Sequence, residues 1–401
     1  MSSAPEGLYR RHFPGVRTGG LSTPAARGER DTPSGATTFI TLGRPLAAAC
    51  GRRPWLSPPT WLCSPEGIMD RRLFALAALF VSLAGCDLPR AHGDANAIIV
   101  AADPELWDQV SEVFLAEMEP TIQVVTNERP FRISHHDPVD ASGWGPLRRF
   151  RQVLVIGDAA YPQVAEVLAK LRPEQIPSPP AFLQVDNVWA RGQRVSVFLL
   201  GSGDPVAQVA GLAPEVQRVL DEQYRQYALT RMYVSGVNQP LIDSLRTNVG
   251  FTLDLPAVYR YIVRDSVFRF RNDNPSPAEL IREVGVTWIS PIPEEDPDQA
   301  ALESWRVAFA AEYYNDAQDL FTELTSFRPV TVQGASGVEF QSAWVSPPDA
   351  WPAGGPFILR AIRCPSQNRL YLIDAWLYAP NREKYEYMIQ LQTILDSFRC
   401  S

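Results

Sequence analysis

Short runs of alternating apolar and polar residues fill the second half of the chain, and this period of two restricts it to paired strands more firmly than any other feature does. The runs are Gly250 to Leu255, Tyr259 to Val263, Val267 to Phe270 and Val286 to Ser290. An acidic, Pro-containing stretch from Pro291 to Asp298 separates them from a helix at about 300 to 320, with Leu302, Trp305, Phe309 and Tyr313 on one side. Further strands follow at Val338 to Trp344, Phe357 to Arg363 and Leu370 to Tyr378, before a closing helix from Arg382 to Asp396. The apolar face of that helix is Tyr385, Met388, Leu391, Leu395 and Phe398. Alternating strands of this kind leave one face of a sheet to be covered by helices. The expected class is therefore α+β, with mostly antiparallel sheets and helices packed on one face, rather than a doubly wound parallel sheet.

The first half reads differently. Ala97 to Ala102 is a compact apolar strand, and Asp103-Pro104 is a good helix start: Asp accepts from free amides while Pro wastes no donor. Trp107, Val110, Val113, Phe114 and Met118 then recur at helical spacing. Gln152 to Gly157 is a second buried strand, and Phe182 to Val188 and Arg194 to Leu200 are adjacent strands. A long helix with Val206, Val209, Ala213, Val216, Leu220 and Tyr227 on one side follows, with a break expected near Leu212 because Pro214 lies inside it. Each half thus starts with strands and closes with a long helix. Residues 96 to 240 read as an N-terminal α/β half and 241 to 401 as a C-terminal α+β half, either two similar halves or parts of one continuous core.

The 401 residues are 45% hydrophobic, enough for a sizeable core, and carry a net charge of -8. Nucleic-acid binding needs dense Lys and Arg, so this balance argues against it. The strip Arg148, Arg149 and Arg151 is read as a solvated strand start.

Ahead of the globular part, Arg71 and Arg72 precede the apolar stretch Leu73 to Val81, which is shorter than the roughly 20 residues needed to span a bilayer. Small residues then lead into a cysteine, and Leu83-Ala84-Gly85-Cys86 resembles the lipobox of bacterial lipoproteins. The resemblance implies a signal peptide over 69 to 85, acylation of Cys86, and a tether over 86 to 95. It also implies a cell-envelope location, periplasmic or surface-exposed, with membrane lipid as a partner through acylated Cys86. Asp87 is similar to an inner-membrane retention signal, but inner and outer membrane both remain open. Residues 1 to 68 are either a disordered leader or a misassigned gene start.

Taken with Ala97 to Trp107, Arg149 to Gly157, Asp186-Asn187-Val188-Trp189, Gly354-Gly355-Pro356-Phe357 and the closing helix, the chain from about 95 to 400 resembles the DUF4837 family of bacterial lipoproteins. That resemblance implies an envelope lipoprotein of undetermined activity and supplies no catalytic site. Basic residues stand before the last helix as Arg382 and Lys384, but Tyr387 and Gln390 stand further on, where such proteins often carry an Arg.

Among candidate sites, Cys364 sits just before a strand whose following helix must return across the sheet and bring Cys400 near it, so these two can form a disulfide. Gly354-Gly355-Pro356-Phe357 is either a tight strand start or a place where backbone approaches a ligand, with Trp344, Trp351, Trp376 and Tyr378 as aromatic walls. Asp374 lies in an apolar strand and, if buried, needs a donor such as Arg360. No catalytic residue, metal or cofactor is assigned. His135 and His136 are adjacent and read as part of a polar loop with Asp137 and Asp140, and Ser202 lacks the Gly-x-Ser-x-Gly elbow. The leading expectation is a non-enzymatic binding or assembly component, with an envelope protein as a second partner class. The competing one is a periplasmic hydrolase that uses acidic residues converging in one cleft.

Overall fold

The computed structural model describes residues 88–123, 127–274 and 280–401, all within one compact unit spanning Phe80–Ser401. Cys86, the signal segment and residues 1–68 lie outside the described residues.

The first half runs β1 (Ala97–Ala101), α1 (Pro104–Met118), the short β2 (Ile122–Gln123) and β3 (Asn127–Glu128), then β4 (Arg132–His136) and α2 (Ala141–Leu147). It continues through β5 (Gln152–Gly157), α3 (Pro162–Leu168), β6 (Ala181–Asp186) and β7 (Arg194–Leu199) to α4 (Pro205–Met232). Its sheet has the order β4-β1-β5-β7-β6. All neighbours are parallel except β6, which is antiparallel to β7. Parallel pairing follows from the helices between the strands, and it explains why Val-Leu-Val-Ile in β5 is an unbroken apolar run: both of its faces are buried. Val100, Leu154 and Phe198 pack under α1 and α4, while Ile99, Val153 and Val197 pack against α3 and Trp144.

α1 starts as its residues dictate, with the Asp103 carboxylate accepting from the amides of Glu105 and Leu106 at 2.9 and 3.3 Å. α4 is one unbroken helix of 28 residues with Pro214 inside it, not two. The bond lost at Pro214 is outweighed by a buried stripe of Val209, Ala213, Val216, Leu220, Tyr224, Ala228 and Met232.

The second half contains α5 (Gln239–Asn248), β8 (Phe251–Thr252), β9 (Arg260–Arg264), β10 (Val267–Asn274), β11 (Leu280–Ile289) and α6 (Gln299–Tyr313). It ends with β12 (Asp319–Val332), β13 (Ala335–Val345), β14 (Gly354–Cys364), β15 (Arg369–Tyr378), α7 (Tyr385–Asp396) and β16 (Arg399–Cys400). The order β12-β13-β14-β15-β11-β10-β9 is antiparallel throughout. The chain is thus α+β. Helices cover both faces of this sheet: α5 and α7 pack on Val284, Ile358 and Ile373, and α6 packs on Phe357, Leu359 and Leu372. The central strands β14 and β15 are buried along nearly their whole length for that reason.

The two halves are joined through the start of α7. Glu128 of β3 accepts from the amides of Lys384 and Tyr385 at 2.6 and 3.1 Å, capping a helix whose own cap residue, Lys384, does not cap it with its side chain but pairs with Glu128 at 3.2 Å. Tyr385 also meets Asp221 and Arg225 of α4.

The expected placement on a membrane is not upheld by the described fold. No helix among the described residues is long and apolar enough to cross one. α4 has the length, but Glu215, Arg218, Asp221, Glu222, Arg225 and Arg231 interrupt its apolar stripe, so it suits one buried face and one wet one. Cys86 lies outside the described residues, and nothing in the described fold supports a lipid-anchored, periplasmic or envelope placement.

Candidate ligand-binding cleft

On the α6 side of the antiparallel sheet, every second residue faces one layer: Glu283 and Gly285 on β11, Leu372, Asp374 and Trp376 on β15, Phe357 and Leu359 on β14. Two carboxylates in this layer are wholly buried, and each is matched by arginine. Asp374 accepts from Tyr314 at 2.6 Å and from Arg306 at 3.3 Å. Burial pushes the Asp374 carboxyl above its ordinary value, partly opposed by the charge of Arg306 and the bonds from Tyr314 and Arg306. Glu283 accepts from Arg269 and, at 2.8 Å, from Arg271, which also reaches Asp273 at 2.7 Å. Arg306 donates to Gln318 and Arg269 to Asn315, so the segment between α6 and β12 is held from beneath by two arginines.

Above this layer lies a cleft of about 710 Å³. Its walls include Trp344, Trp351, Trp376 and Tyr378, the four aromatics that the sequence places together, and its polar lining includes Arg271, Asp273, Asn315, Asp316, Gln318 and Asp349. Trp344 and Trp376 meet edge to face at 5.5 Å, and the Trp344 indole N–H donates to the Leu377 carbonyl at 3.1 Å. Trp376 is 3% exposed, and its indole nitrogen is buried with no partner among the described residues. Trp351, on the loop between β13 and β14, is 82% exposed.

The other candidate residues separate. Gly354 and Gly355 open β14, and a Cβ on Gly355 would stand 1.8 Å from the Leu377 carbonyl oxygen, so this glycine serves close strand approach. Arg360 does not pair with Asp374: neighbours on paired strands place it on the opposite face of the sheet, where it binds Glu339 and Asp396, each at 2.7 Å. Cys364 and Cys400 are joined in a disulfide with Cα atoms 5.9 Å apart, tying β14 to the chain end, where β16 pairs with β8. His135 stacks on Trp107 and faces the Ala102 carbonyl at 3.0 Å, while His136 stacks near Trp144. Among the described residues no three His, Cys, Asp or Glu side chains gather to hold a metal. The arginines under the cleft escape sequence reasoning, since Arg269, Arg271 and Arg306 look like solvated positions until a partner appears on another element. The faint signal was Asp374 within an apolar run.

Fold and cleft together describe an α+β protein with an aromatic-walled recess over a buried charge layer. Residues 304–397 match the family described as a domain of unknown function, DUF4837. The match runs from α6 to the end of α7 and includes the four aromatics, so it is narrower than the likeness expected over about 95 to 400. No curated protein matches the chain. Several solved structures are similar to part of it. The Ran-binding protein Mog1p of Saccharomyces cerevisiae is 14% identical, over 38% of this chain and 92% of that one, with a TM-score of 0.25. The cyanobacterial PsbP of Synechocystis is 11% identical over 39% and 89%, with a TM-score of 0.26. LpqN of Mycobacterium tuberculosis, titled as involved in cell envelope biogenesis, is 12% identical over 37% and 83%, with a TM-score of 0.23. Likenesses of this size carry nothing about function.

Proposed function

We propose that this chain is a non-enzymatic binding module whose ligand sits in the cleft walled by Trp344, Trp351, Trp376 and Tyr378. The observation that carries this reading is the Trp376 indole N–H, buried without an acceptor among the described residues in a side chain that lines the cleft. A buried donor left unpaired costs about 1 to 3 kcal/mol, and a ligand acceptor removes that cost. Aromatic walls with a few polar groups, in a volume of this order, fit the general form of small-ligand sites. The competing hydrolase reading loses Asp273 and Glu283, both bound to Arg271, and Asp374, enclosed by Arg306 and Tyr314, and has only the exposed Asp316 and Asp349 of the lining left to work with. Carboxylates spent on guanidinium groups are not free to exchange protons with a substrate.

The test is a chemically broad small-molecule library screened against the full-length, ¹⁵N-tryptophan-labelled protein by its indole resonances. Binders are expected to shift Trp376 and Trp351 together and to lose affinity in Trp351→Ala. Binders that consistently leave both resonances unmoved would remove the reading.

A further inference from the structure

Resting on that reading, we propose that the cleft takes a neutral carbohydrate. Three requirements meet there. The Trp376 N–H calls for an acceptor oxygen, since it is buried without one. Asp316 and Asp349 line the same cleft, are exposed, and have no ion-pair partner among the described residues, so they call for donors. Trp351 presents an open indole face at the rim, which calls for an apolar surface of matching flatness. A sugar ring supplies all three at once: hydroxyl groups both accept and donate, and the axial C–H face packs on an indole.

Charge narrows the choice. The single arginine of the lining, Arg271, is already bound to Glu283 and Asp273 and lies 5.7 Å from the centroid of the Trp376 ring. Two unpaired carboxylates therefore remain against no uncommitted cation in the lining, which disfavours an anionic ligand. A purely cationic ligand would suit the carboxylates and the rings, but it offers nothing to the Trp376 N–H and must approach the Arg271 guanidinium. Asn315 and Gln318 are held by Arg269 and Arg306, so the polar side of the cleft is set before a ligand arrives.

The experiment titrates the full-length protein with maltohexaose, cellohexaose, mannohexaose and chitohexaose, and separately with hexagalacturonate and tetramethylammonium chloride, following the indole resonances. At least one neutral hexasaccharide is expected to shift Trp376 and Trp351 saturably, with binding at least tenfold weaker in Trp351→Ala and in the double variant D316N/D349N. Both changes are at exposed positions, and retained circular dichroism checks the fold. If hexagalacturonate or tetramethylammonium moves these resonances and no neutral sugar does, the carbohydrate proposal is overturned while the binding reading stands. If none of these probes moves them, the carbohydrate proposal is overturned, and the binding reading falls with it when library binders also avoid the cleft.

Discussion

Arg306 of α6 and Asp374 of β15 meet at 3.3 Å with neither side chain reaching solvent, and Tyr314 completes the carboxylate at 2.6 Å. The pair fastens α6 to the middle of the antiparallel sheet and supports the cleft floor through Gln318.

Breaking this pair from one side strands the other charge. Asp374→Ala is expected to cost about 3 to 5 kcal/mol, because Arg306 stays buried without its carboxylate. The apolar pair R306M/D374L is expected to lie much closer to the wild type than either single change. Urea unfolding of the two single variants and the double variant measures the coupling.

Acid stability is expected to depend on Glu339. Burial pushes its carboxyl up, but the charge of Arg360 and bonds from Arg360, Gln341 and Arg328 outweigh burial and hold it below its ordinary value. A folded-state value below the unfolded one adds stability that is full above the ordinary carboxylate range and disappears as pH falls through the lower value. Asp374, raised by burial, acts with the opposite sign: its contribution is fullest at low pH and declines as pH rises through its raised value. Glu339→Gln should flatten the acid limb of a stability profile and destabilise the neutral protein, since Arg360 keeps only Asp396.

The disulfide between Cys364 and Cys400 closes a loop of 36 residues around β15 and α7. Its removal in C364S/C400S is expected to cost about 2 to 4 kcal/mol. Denaturant midpoints with and without reductant give the comparison, and the double variant should not respond to reductant.

Gly355 admits no side chain. Its Cβ would meet the Leu377 carbonyl oxygen, a backbone atom of the neighbouring strand. Gly355→Ala should destabilise by about 1 to 3 kcal/mol by forcing β14 away from β15. A thermal melt beside Gly145→Ala, at a glycine with open space, separates crowding from any general effect of removing glycine.

Strand alternation made the second sheet legible, and the recurring apolar residues of α1, α6 and α7 made their helices so. The parallel order of the first sheet was not legible, because pairing partners there depend on which helix crosses which face. β12 also escaped: Thr322 to Pro329 alternates weakly, and Pro329 is tolerated only because β12 is an edge strand bonded to β13 alone. The aromatics of the cleft could be grouped from sequence, as four rings near one strand pair. The partners of Asp374 and Arg360 could not, since a single alternation step puts them on opposite faces.

The central claim, that the recess bounded by Trp351 and Trp376 is a ligand site, is tested most directly by soaking crystals of the full-length protein in a broad fragment library and mapping bound density. The account predicts that fragments concentrate in this cleft with an acceptor atom within hydrogen-bond distance of Trp376 Nε1. Fragments that fill the cavities beside Arg328 and Met388 or beside His135 and His136, while this cleft stays empty, would contradict it.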